Sequence, residues 1–291
     1  MNKLFYFCLL GVCVFNGALS WSAPSIGLYS VELTVNSQSK EERKSSAGDA
    51  LLILLTRITG LKIVPRTPKI LEALQNSEHF YGGYVYSENS NAEAVSITYQ
   101  FDRQLVSGLV REANLPLWWN IRPKILTWVA LDDGETRILA ADEQHLLVGA
   151  LQNRAKVRGI SNTLPLMDIN DLQLISYKEI KTGTAYKIDD AALRYGADIS
   201  LIGKLREIES LVGENFFSGC WEFWLTDQLY SVNFENESAS AAGALGIDLV
   251  ADTFSNKYSV FSKENNSFNW VITGITDSNR YVSLMDYFRS L

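Results

Sequence analysis

Only two histidines, His79 and His145, occur in the 291-residue sequence, far apart and without a cluster of carboxylates or cysteines beside either. A zinc site or a histidine-based acid–base site needs more partners than that. The spacing therefore offers no metal ligand set, no catalytic residue and no cofactor. A nucleophile elbow of the G-x-S-x-G type is also missing. Gly196, Gly203 and Lys204 superficially suggest a phosphate loop, but the glycines stand too far apart. Leu205 also occupies the place where Ser or Thr would hold magnesium. Ile199, Leu201 and Leu205 alternate instead as a strand. The acid pairs Asp168/Asp171 and Asp189/Asp190 lie near helix starts. There a carboxylate complements unsatisfied N–H groups and the macrodipole, at about 0.3–1 kcal/mol each.

Aromatic residues are the remaining candidates. Trp118 and Trp119 sit with Arg122 and Pro123 just before an apolar strand. Because Trp and Arg anchor interfaces, Trp118, Trp119, Arg122 and Pro123 form the candidate partner-binding patch. Adjacent tryptophans in an extended segment point oppositely, so at least one should be exposed or packed on the second half of the chain. Trp221 and Trp224, three apart on an expected strand, should face opposite sides.

The elements that position these residues follow from periodicity. Residues 26–35 alternate as a strand; Ser39 and Glu42 have capping-box spacing. Ala47, Ala50, Leu51, Leu54, Leu55 and Ile58 then repeat at helical spacing up to Gly60. A short helix over 68–74, strands over 84–86 and 95–101, and an Asp102-capped helix come next. Residues 125–131 are continuously apolar, as in a strand covered on both faces. A helix over 142–156 leads to a polar, glycine-containing stretch at 159–163. Beyond it lie a short strand over 164–167 and a helical stripe of Ile188, Ala191, Ala192 and Tyr195. Strands over 197–208, 219–227 and 229–234, a small-residue helix from Ser238, a strand over 268–275 and a final Asp277-capped helix complete the chain.

The first residues form an export signal: Lys3, an apolar run over 4–15, then small residues at alternate positions. The run is shorter than the roughly 20 residues that span hydrocarbon, so cleavage after Ser20 or Ser22 is expected, and Cys13 has a poor lipid-attachment context. Cys220 is then the only cysteine left, and no internal disulfide can form. A net charge of −7 without a Lys/Arg cluster argues against nucleic acid and against anionic lipid as partners. No later segment is apolar enough to span a membrane.

Several of these stretches resemble one family. They are Leu28-Tyr29-Ser30-Val31-Glu32-Leu33, the Arg43…Ala47…Ala50-Leu51…Leu54-Leu55 helix with Arg57 and Gly60, Phe101-Asp102, Leu115-Pro116-Leu117-Trp118, and Arg122-Pro123…Trp128-Val129-Ala130. Together they are similar to the exported Gram-negative proteins grouped as domain of unknown function 2066. The second half, with Pro165-Leu166-Met167-Asp168 and Ala191…Arg194-Tyr195-Gly196-Ala197-Asp198, also resembles envelope α/β modules of the lipoprotein-activator and curli-secretion type. The resemblance implies periplasmic residence and supplies no catalytic residue. Family members continue past the last helix, which implies a shortened form here.

The expected fold is α/β (α+β): two layered domains with helices packed on mixed sheets, plus a C-terminal βα unit. The expected divisions are 1–22 for the signal, 24–158, 163–262 and 267–291, the last a truncated subdomain. The expected function is a non-catalytic periplasmic binding or accessory protein that partners an envelope protein or assembly. The alternative is an envelope hydrolase whose site the sequence does not group.

Overall fold

Ser39 starts the longest early helix. Its Oγ accepts the N–H of Glu42 at 3.1 Å, and α1 (Lys40–Thr59) runs from there to Gly60. With φ at 71°, Gly60 takes the left-handed conformation and returns its N–H to Thr56, closing the last turn. The Glu42 carboxylate turns to Asn36, so half of the capping box forms. Leu51, Leu54, Leu55 and Ile58 are all fully buried, as their spacing predicts. The computed structural model describes residues 27–88, 95–118, 122–182, 185–209, 213–261, 272–275 and 277–290.

The buried face of α1 shares one core with an antiparallel sheet of β1 (Ser30–Val35), β2 (Tyr81–Glu88) and β3 (Val95–Phe101), in the order β1-β3-β2. The same core takes in α2 (Pro68–Gln75) and α3 (Arg103–Glu112). Thr67 caps α2 and Asp102 caps α3, the latter accepting the N–H groups of Gln104 and Leu105.

After the two-residue β4 (Pro116–Leu117) the chain enters a second sheet. Its strands are β5 (Lys124–Asp132), β6 (Thr136–Ile138), β7 (Ser161–Thr163), β8 (Ile199–Glu209), β9 (Asn215–Leu225) and β10 (Gln228–Ser238). Their order is β10-β9-β8-β5-β6, with β7 also on β5. Helices α4 (Leu146–Arg158) and α8 (Ala239–Tyr258) cover one face. The opposite face of β5 and β8 carries α6 (Tyr177–Thr182) and α7 (Ala185–Arg194), with α5 (Ile169–Leu174) against α7. β5 is thus covered on both sides, and residues 125–131 are all buried. The two-residue β11 (Val260–Phe261) returns to pair with β4, and α9 (Ser278–Ser290) follows, with Asp277 accepting the N–H of Arg280. The chain is therefore an α+β protein with helices packed on mixed sheets.

Three expectations change. The boundary at 159–163 does not separate the two sheets: residues 124–158, expected in the first domain, belong to the second sheet and its cover. β5 pairs in parallel with β8 from Ile125↔Ile199 to Asp132↔Arg206. Gly159 is the cap of α4, with φ at 65° and its N–H directed to Ala155 and Lys156, rather than a linker. Residues 164–167 form no strand; the strand is the preceding β7. Of the strand expected over 268–275, residues 268–271 lie outside the described residues and 272–275 are not strand.

Candidate functional site

Of the four residues expected to form a partner-binding patch, the three described ones, Trp118, Arg122 and Pro123, are engaged inside the fold. Trp118 is 1% exposed, with its indole in the core beneath the six-stranded sheet and its backbone N–H bonded to the carbonyl of Ile58 at 2.7 Å. Arg122 lies over that indole, 4.0 Å from the ring centroid. Its guanidinium donates to the carbonyls of Arg57 at 2.6 Å, Arg158 at 3.1 Å and Trp118 at 3.3 Å. Two of those carbonyls end α1 and α4, so one side chain caps both helices. Pro123 is buried, and Trp119 lies outside the described residues. Trp118, Arg122 and Pro123 are therefore a joint between the two layers and not a docking surface.

Arg57 completes the joint, donating to Lys156 O at 2.9 Å and Ser30 O at 2.6 Å. Burial pushes its guanidinium down to about 10. Burial, with repulsion from Arg57 and Arg158, pushes Arg122 down to about 9. Both remain charged at neutral pH.

A cleft lined by Asp133, His145, Glu207 and Glu209 opens at the carboxyl ends of the parallel strands β5 and β8, where ligands of open α/β sheets commonly bind. Helices α4 and α8 run parallel there, meeting at Ala150 and Gly243 and again at Arg154 and Asp248. A groove of about 680 Å³ runs along α4 from Leu146 to Val157 beside the first turns of α8, and the cleft, of about 420 Å³, adjoins it across Gln144, His145 and Leu146. His145 meets Glu207, distant in sequence, here at 2.9 Å, and Glu207 in turn accepts from Asn215 at 2.6 Å. The other imidazole nitrogen, Nδ1, accepts the N–H of Leu147 at 3.2 Å. Nε2 therefore carries the proton and donates to Glu207. With both nitrogens engaged, the imidazole serves as the cap of α4.

Asp168 and Asp171 do stand at a helix start, as expected. Asp168 Oδ1 accepts the N–H groups of Asn170 and Asp171 at 3.0 and 3.1 Å. The spacing alone did not show that Arg194 forks onto both carboxylates, or that fully buried Asp171 accepts from Tyr195 Oη at 2.5 Å. The Arg194 bond, helped by the Asp171 N–H, lowers Asp168 to about 2. Burial, then the bond to Asp171, raises Tyr195 to about 12. Since Asp168 is depressed in the folded state, its contribution is complete above the unfolded value of about 3.9. It fades as pH falls toward 2. The carboxyl carbon shift of Asp168, followed by NMR, is expected to titrate near 2, and in Arg194→Gln the midpoint should move up toward about 3.9. An unchanged midpoint would show that Arg194 does not set it.

A surface suited to a partner lies on the β9–β10 hairpin. Trp221 and Trp224 do face opposite sides: Trp221 is 0% exposed against α8, and Trp224 is 46% exposed. Trp224 pairs across the hairpin with Leu229, itself 44% exposed. Beside them Lys204 and Glu222 form an ion pair at 2.5 Å. Paired residues of an antiparallel ladder share a face, which places Trp224, Leu229, Glu222 and Ser231 together on the side opposite α8. The hairpin closes through Thr226, whose φ of 56° is unfavourable for a β-branched residue.

Residues 23–119 match the domain of unknown function DUF8605. The match spans the three-stranded layer and ends at the joint, before β5, so it falls on the scaffold rather than on the hairpin. No curated protein matches the chain.

Proposed function

We propose that this chain is an exported periplasmic protein of the Gram-negative envelope, related to domain of unknown function 2066, that binds an envelope partner without catalysing a reaction. Support for export is the charged start, apolar run and small-residue cleavage pattern of residues 1–22. Among the described helices none is long and apolar enough to cross a membrane. The observation that carries the binding reading is the Trp224–Leu229 pair, solvent-exposed at the β9–β10 end of a sheet face whose described helices lie over β5 and β8. The two apolar side chains form a shallow platform rather than a pocket, which suits a protein surface better than a small metabolite. An envelope hydrolase draws its best support from His145 and Glu207, but there the imidazole has no free nitrogen for a substrate proton.

Trp224→Ala is expected to weaken partner binding by about 2 kcal/mol or more while leaving the melting temperature nearly unchanged. The check is quantitative crosslinking in envelope fractions against the wild-type chain; equal capture of the same partner would overturn the reading. Export has its own check. Mass spectrometry of the protein from periplasmic extract should find a new N-terminus between Trp21 and Pro24, whereas an intact Met1 would reject cleavage.

A further inference from the structure

Strand β10 ends the six-stranded sheet. Over residues 228–234, Gln-Leu-Tyr-Ser-Val-Asn-Phe, it carries neither charge nor proline, the usual devices by which an edge strand repels a new neighbour. Its backbone polarity follows from the hairpin. Leu225 and Gln228 oppose one another across the two-residue turn, and residues flanking such a turn exchange both N–H···O=C bonds. Alternation then directs the backbone of Tyr230, Val232 and Phe234 inward to β9 and that of Leu229, Ser231 and Asn233 outward to the edge, where no described strand pairs. The regular pairing ends at a bulge between Phe234 and Glu237, where Asn236 takes φ 55° and its N–H donates to Ser218 Oγ at 2.9 Å.

Charge selects the occupant. Asp227 precedes the neutral stretch, and Glu235 and Glu237 follow it. A second copy fits poorly. A two-fold axis normal to the sheet pairs all of 228–234 with itself only about Ser231, and that register sets Asp227 opposite Glu235 of the other copy. Like charges directly opposed destabilise a ladder. We propose that β10 takes up, by strand addition, an extended partner segment of alternating apolar residues flanked by basic ones. This deepens the binding reading above and rests on it, since Leu229 links that edge to Trp224.

The test uses the mature chain and a synthetic peptide of alternating valine and threonine with lysines at both ends, beside the same peptide ended by glutamates. The lysine-flanked peptide should slow amide exchange at Leu229, Ser231 and Asn233 at least tenfold. The glutamate-flanked peptide should bind at least tenfold more weakly. Ser231→Pro and Asn233→Pro each remove an outward N–H, a change edge strands tolerate. Each should keep the circular dichroism spectrum and lose the peptide at least tenfold, so failure of one variant to fold leaves the other decisive. Unprotected edge amides, or peptide binding unaltered by both prolines, would overturn the proposal. Equal binding of the two peptides would overturn the basic occupant. A wild-type dimer in sedimentation that Ser231→Pro dissociates would overturn it in favour of a second copy. If Trp224→Ala loses the envelope partner and Ser231→Pro retains it, strand addition fails while the exposed-face reading stands.

Discussion

Replacing Asp248 with asparagine should lower the unfolding free energy by about 3–5 kcal/mol, the cost of leaving a buried cation without its counter-ion. Asp248 on α8 is 3% exposed and serves three cations. Its oxygens accept from Arg154 Nε and Nη2 at 2.8 Å and from Arg158 Nη1 at 2.9 Å, and Lys62 Nζ stands at 3.3 Å. Arg158 is fully buried, and its Nη2 donates to Gly60 O at 2.8 Å, at the end of α1. The carboxylate thus holds α4, α8 and the end of α1 in one place, and asparagine keeps the shape while removing the charge. Against a usual total of about 5–15 kcal/mol, such a loss is a large fraction. Asp252, the other carboxylate on Arg158, is 42% exposed, so Asp252→Asn should cost only about 1 kcal/mol. Urea unfolding of the two variants separates them. Equal, small losses would show that water reaches Arg158 and that the joint is not a buried ion pair.

The same joint marks where sequence reasoning succeeded and where it stopped. Helix α1, the doubly covered β5 and the β8–β9–β10 run were legible because their apolar periods are local: 3.6 for the helix, continuous for a strand covered twice, two for the hairpin. The division of the chain was not legible. The parallel pairing of β5 with β8 joins residues 74 positions apart at Ile125↔Ile199, and a parallel ladder leaves no turn to announce it. Gly159 read as a linker because a helix cap and a linker use the same residue type. Arg122 read as an interface anchor because charged side chains are seldom internal, and nothing local shows that two helix ends offer it carbonyls. His145 read as isolated because Glu207 lies 62 residues away. That Trp221 and Trp224 face opposite sides was legible, since strand alternation alone separates residues three apart; which of them points outward was not.

Trp221 supports the other large prediction. Its indole is 0% exposed, its Nε1–H donates to the carbonyl of Ala242 at 2.8 Å, and it lies between β8 and α8 at two glycines. A Cβ added at Gly203 would stand 2.5 Å from the ring, and one at Gly246 would stand 2.7 Å from it. Truncation to alanine should therefore cost about 3–5 kcal/mol, through lost burial and a cavity that the two backbones on either side cannot close. The glycines supply a test that reverses sign. In the wild-type chain Gly246→Ala should destabilise, because the clash with the hydrogen-bonded ring outweighs the roughly 1 kcal/mol by which alanine is favoured over glycine inside a helix. In the Trp221→Ala background the same substitution fills part of the cavity and should stabilise. Thermal unfolding of the two singles and the double gives the coupling directly. Because Trp221 fixes β9 on α8, its loss should also loosen the strand that presents Trp224 on the opposite face. Partner binding should then fall with Trp221→Ala and recover in part with the second substitution. Additive effects of the two substitutions would mean that the indole does not fill the space between the glycines, and that another contact holds the hairpin in place.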